Sequence, residues 1–168
     1  WVIGQVERKT DRYERRCRIE DLCMGFICFE NDTRLILEID MPKPHLNNIL
    51  IQGSNGTMSS DGGKLKYLNS DSSGWQIVEP KSDGRDLWSE FKLWLDGDID
   101  DHRCSGYQAR GTVEIMMAIY ESLRINNVVN MPLETRESPL DLMIEDGTLV
   151  VTKEGRYDIR KPFPEENK

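Results

Sequence analysis

The sequence predicts an α+β domain: an open, mainly antiparallel β-sheet of about six strands with helices packed on one face. Three observations predict it. Apolar residues alternate with period two over the first two-thirds of the chain, the period changes to that of a helix after Pro80, and short polar turns join the strands. At 168 residues, 38% of them apolar, the chain can bury a core without disulfide or metal support.

The elements follow in chain order. Trp1 to Arg8 alternates Val2, Gly4 and Val6 against Ile3, Gln5 and Glu7, which suits a strand with one partly apolar face. Ile19 to Glu30 is apolar on both faces: Leu22, Met24, Phe26 and Cys28 point one way, Cys23, Ile27 and Phe29 the other. Such a strand is covered on both sides, so a partner chain or neighbouring domain is expected on the face the helices leave. Asn31-Asp32-Thr33 turns the chain into Arg34 to Met41, completing an antiparallel hairpin. Further strands are expected at Asn48 to Gln52, Lys64 to Leu68 and Trp75 to Glu79.

Asp86 then caps a helix whose stripe of Leu87, Trp88, Phe91, Trp94 and Leu95 stops at Gly97. A second helix is expected from Thr112 to Arg124, and a third, short one from Pro139, capped by Ser138 and ending before Gly147. Residues 1–152 read as a single domain, and 153–168 as a charged, Pro-containing tail.

A net charge of −8 argues against a nucleic-acid partner, because phosphate binding needs an electropositive surface. The local exception, Glu7 to Arg18, holds six cations against three anions; with Tyr13 as its one ring it reads as a solvated or subunit-contacting arm. No window approaches the ~20 apolar residues of a membrane span, and the opening residues resemble no signal or transit peptide. Cys17, Cys23, Cys28 and Cys104 form no C-x-x-C pair and read as reduced thiols, which suits the cytoplasm.

The search for chemistry returns little. There is no G-x-G-x-x-G between strand and helix and no phosphate loop, so no cofactor-binding residue is assigned. The Gly-rich run from Gly53 to Lys64 reads as a hairpin loop. Asp96, Asp98, Asp100, Asp101 and His102 suggest a metal loop, but the sixth and twelfth positions from Asp96 are Asp101 and Tyr107, where a calcium loop needs Gly and Glu. That segment reads as a solvated acidic loop, and no metal ligand is assigned. His45 and His102, the two histidines, have no nucleophile beside them in sequence, and no catalytic residue is assigned.

Several stretches nonetheless resemble a known family. Val2 to Arg16, Arg18-Ile-Glu-Asp21 and Phe29-Glu-Asn-Asp-Thr33 are similar to the sheet of the C-terminal domain of Gfo/Idh/MocA oxidoreductases. Gly111 to Arg124 and Pro139 to Gly147 resemble its closing helices, with Ile51 to Thr57 between, and it is the order of these segments that carries the resemblance. The resemblance implies a parent enzyme in which an N-terminal Rossmann domain, absent from this chain, binds NAD or NADP. It also implies hydride transfer to or from a sugar, polyol or related cyclic compound. The family's catalytic Lys and its Asp-x-x-x-His pair precede the strand that resembles Val2 to Arg8. Lys43-Pro44 lies at a sheet-strand end, and Asp98 with His102 lies in the acidic loop, so neither look-alike transfers.

The chain alone is therefore expected to be inactive, to bind no cofactor and to form a homo-oligomer through its sheet. Its start in mid-strand, without Met, suggests a cut fragment. Polar groups at strand ends and in the arm, namely Arg12, Tyr13, Arg15, Arg16, Glu38 and His45, are the candidate substrate contacts, able to hydrogen-bond hydroxyls or pair with an anion. The competing reading is a non-catalytic, self-associating scaffold or carbohydrate-binding module. A third, a metal-dependent enzyme built on the Asp96 to His102 loop, predicts stabilisation by metal.

Overall fold

Alternating apolar side chains at the N-terminus place Val2–Glu7 (β1) in a sheet, and the polar Thr10–Glu14 (β2), Cys17–Arg18 (β3), Leu22–Cys28 (β4) and Arg34–Asp40 (β5) follow. Ile49–Gly53 (β6), Gly56–Asp61 (β7), Lys64–Leu68 (β8), Gln76–Val78 (β9) and the helix Leu87–Asp96 (α1) come next. Gly106–Ile125 (α2), Pro139–Glu145 (α3) and Lys153–Asp158 (β10) are the last of the described elements. The computed structural model describes residues 1–40, 49–61, 63–79 and 84–161.

The fold is α+β and mainly antiparallel, and its strands form three sheets rather than one, in the orders β1-β4-β5, β10-β2-β3 and β6-β7-β8-β9. The chain divides into two compact units, Trp1–Lys43 with Cys104–Lys168, and Pro44–Arg103. Residues 153–158, read from sequence as part of a tail, are a strand lying parallel to β2. β2, β3, β7 and β10 escape periodicity because their side chains are largely polar; main-chain hydrogen bonds to a neighbouring strand hold them instead.

In the first unit, β4 is the central strand of β1-β4-β5, and both its pairings are antiparallel. Asn31 and Asp32 make the tight connection to β5: Thr33 N donates to Asn31 Oδ1 at 3.1 Å, and Asp32 takes φ 62°. One sheet face, with Val2, Val6, Cys23 and Ile27, joins Ala118, Ile119 and Tyr120 of α2, Leu140 and Met143 of α3, and Val129 in the core. α2 is longer than its apolar period suggests, because the Ser105 side chain caps it by accepting from Gln108 N, through a polar first turn containing Gly106. It ends at Asn126, in the left-handed region.

In the second unit, β6 to β9 form a meander of antiparallel pairs. α1 is capped by Asp86, whose side chain accepts from Ser89 N, and is closed by Gly97 as the sequence predicts. Its Phe91 and Trp94 rings hold the His102 ring at centroid distances of 5.6 and 5.3 Å.

Candidate functional site

The structure gathers four of the six sequence-derived candidates on the sheet β10-β2-β3. The pleat turns Thr10 and Arg12 inward, and both are buried. Asp21, also buried, accepts from Thr10 N at 2.8 Å and from Thr10 Oγ1 at 2.7 Å, fixing the start of β2. Arg12 Nη2 donates to the carbonyl of Ile159 at 3.2 Å. The Tyr13 ring lies under the Arg156 guanidinium, 4.0 Å from its centroid, so β10 and the residue that follows it engage Tyr13 and Arg12. Arg15 and Arg16 form the two-residue connection between β2 and β3 and are exposed. Glu38 stands apart on β5, opposite Met24 on the sheet β1-β4-β5. His45 lies outside the described residues.

The face of β1-β4-β5 turned away from α2 is open and carries apolar side chains beside the charged Glu7, Arg34 and Glu38. Ile3, Met24 and Ile36 on it are exposed, and Trp1 packs its ring on Phe26 at 5.4 Å. Of its two faces, β4 thus has one covered within the unit.

A cleft of about 430 Å³ lies beside the end of α2, lined by Leu123, Asn126 and Asn127 and, from the sheet, by Ile3, Met24 and Ile36 among others. The paired Gly4 and Gly25 let Ile119 of α2 pack directly on the sheet beside it, in phase with the buried Val2, Val6, Cys23 and Ile27. None of the five described candidates lines the cleft.

The buried titratable groups beside this core are held neutral. Burial, with the charge of Glu20 nearby, pushes the Cys23 thiol up to about 11. Burial and Glu20 also raise the Tyr120 hydroxyl far above its ordinary value. At neutral pH neither is poised as a nucleophile or base. Among the described residues, no group of three or more His, Cys, Asp and Glu side chains is placed to hold a metal ion. No helix among them is long and apolar enough to cross a membrane.

A dinucleotide pyrophosphate needs glycines between a strand and a helix N-terminus. Here the glycine-rich segment at 53–56 closes the β6–β7 hairpin, with Gly53 paired to Gly56. A Cβ on Gly56 would stand 2.4 Å from the Leu68 carbonyl, so close packing accounts for that glycine. The residues of this segment therefore do not fit NAD or NADP, and no step is assigned to either here.

No family model matches the sequence, and no curated protein matches it. Solved structures do share the fold. One is a provisionally assigned oxidoreductase from Thermotoga maritima, with a TM-score of 0.59 at 16% identity. Another is an oxidoreductase from Agrobacterium radiobacter in complex with NAD+, L-tartaric acid and magnesium, with a TM-score of 0.52 at 19% identity. Each match covers 72% of this chain, and 37% and 40% of those chains respectively. The chain has the fold of one part of these oxidoreductases and spans well under half their length.

Proposed function

We propose that the chain is the C-terminal, substrate-binding and oligomerisation domain of a Gfo/Idh/MocA-type NAD(P)-dependent oxidoreductase acting on a sugar, polyol or related cyclic compound. The observation that supports this reading is the fold shared over 72% of the chain with part of two solved oxidoreductases, one of them in complex with NAD+. It agrees with the order of sequence segments that resembles that family.

In the parent enzyme a nicotinamide cofactor, held by a separate Rossmann domain, supplies hydride chemistry. This chain supplies a wall of the substrate cleft and a subunit contact. Because Arg12 and Tyr13 are engaged by β10 and the residue that follows it, the groups we assign to substrate hydroxyls are the amides of Asn126 and Asn127 at the mouth of the α2 cleft. Glu38 stands beside Met24 on the open face that we assign to the subunit contact. The free thiols of Cys17, Cys23, Cys28 and Cys104 support a reducing, cytoplasmic compartment.

The test is calorimetric titration of NAD+ and NADP+ into residues 1–168 and into the protein encoded by the complete parent reading frame. Saturable binding by the longer protein alone supports the reading. Dinucleotide-dependent turnover of a sugar by residues 1–168 unaided overturns it.

A further inference from the structure

We propose that the Arg15–Arg16 tip of the β2–β3 hairpin, with the cationic sheet behind it, docks a carboxylate-rich segment of a partner protein. The inference stands independently of the enzymatic reading.

Backbone conformation supplies the first observation. Arg15 and Arg16 have φ of 46° and 75°, the left-handed region that costs an L side chain energy and that two-residue hairpins ordinarily fill with Asn-Gly. Among the described residues, nothing repays two arginines there. The Arg15 side chain is 85% exposed, its ion pair with Glu14 spans 3.8 Å, and Arg16 is exposed as well. A residue pair that local structure disfavours and packing does not use points to an outside ligand.

Charge supplies the second. Pairing of β10 with β2 brings the segment 153–161 to the arm Glu7 to Arg18, and together these hold ten Lys and Arg against five Asp and Glu, in a chain of net charge −8; Arg8 pairs with Asp11, Lys9 with Glu7 and Arg160 with Asp158. Sequence shows the arm's six cations; the other four arrive from the opposite end of the chain. The planar guanidinium forks at the tip match carboxylates in bidentate geometry.

Stacking capacity decides against a nucleic acid. The Tyr13 ring is covered by Arg156, and residues 8–18 hold no other ring on which a base could stack. Neither tip arginine lines the α2 cleft, so the fit is to a surface segment and not to an enclosed small molecule.

The test measures fluorescence anisotropy of labelled poly-L-glutamate, and of a single-stranded oligonucleotide of equal charge, with residues 1–168 at about 50 and about 300 mM NaCl. Poly-L-glutamate is expected to bind, and to weaken by about tenfold at the higher salt. The double variant Arg15→Asn/Arg16→Gly installs the turn-favoured pair, so it is expected to melt at a higher temperature than the parent while losing about tenfold in poly-L-glutamate affinity. Absence of poly-L-glutamate binding, unchanged binding by the variant, a lower melting temperature in the variant, or tighter binding of the oligonucleotide would each overturn the proposal.

Discussion

Gly4 of β1 lies so close to Ile119 of α2 that a Cβ on the glycine would stand 2.5 Å from the isoleucine Cγ2 and 3.1 Å from its Cα. Gly25, directly opposite Gly4 on β4, would place a Cβ 2.7 Å from Ile119 Cδ1. Two glycines on adjacent strands thus make one notch, and one β-branched residue fills it.

The notch separates two substitutions that look alike in sequence. Gly4→Ala presses on the Ile119 Cγ2 methyl, which valine keeps, and on its Cα, and is expected to cost about 1–3 kcal/mol whether residue 119 is Ile or Val. Gly25→Ala presses mainly on a terminal methyl, so Ile119→Val, which removes that methyl, is expected to recover part of its cost. Urea unfolding of the double-mutant cycles checks this; equal rescue of both glycine variants would show that the notch has been misread.

Ser122 is buried at the edge of the same notch, where its Oγ accepts from Gly4 N at 3.0 Å and donates to the Asn127 carbonyl at 2.7 Å. Ser122→Ala leaves both groups unsatisfied, at an expected cost of about 1–3 kcal/mol. Hydrogen exchange at the Gly4 amide should accelerate with the loss of stability, and an unchanged rate would refute the assignment.

Glu121 is buried and bonded at both oxygens: Arg124 Nε and Nη2 each donate at 2.6 Å, and Thr135 Oγ1 donates at 2.7 Å. The Arg124 bonds, opposed by desolvation and aided by Thr135, hold its carboxyl below the ordinary value of 4.5. A carboxyl lowered in the folded state contributes fully above that ordinary value, and the contribution fades as pH falls through the folded one. Glu121→Gln should therefore lower the melting temperature most at pH 7 and least near pH 3. A pH-independent difference would mean that the carboxylate charge is not the source.

Ile36 on the open sheet face is 77% exposed. If that face is the subunit contact, Ile36→Asp should shift sedimentation at micromolar concentration from oligomer to monomer while leaving the melting temperature of the monomer within about 1 °C, since surface changes cost little. A parent chain that already sediments as a monomer would remove the face from the argument.

The sequence by itself determined what side-chain pattern can encode. The two-faced β4, its hairpin to β5, the Asp86, Ser138 and Gly97 helix signals, and the absence of a phosphate cradle all follow from local periodicity and capping chemistry. Only the tertiary structure decided the division into three sheets, the polar strands β2, β3, β7 and β10, the union of the two cationic segments, and the cleft beside the end of α2. Those features depend on which backbone meets which across long separations. A polar strand leaves no mark in apolar periodicity, and two glycines become a notch only when register sets them side by side.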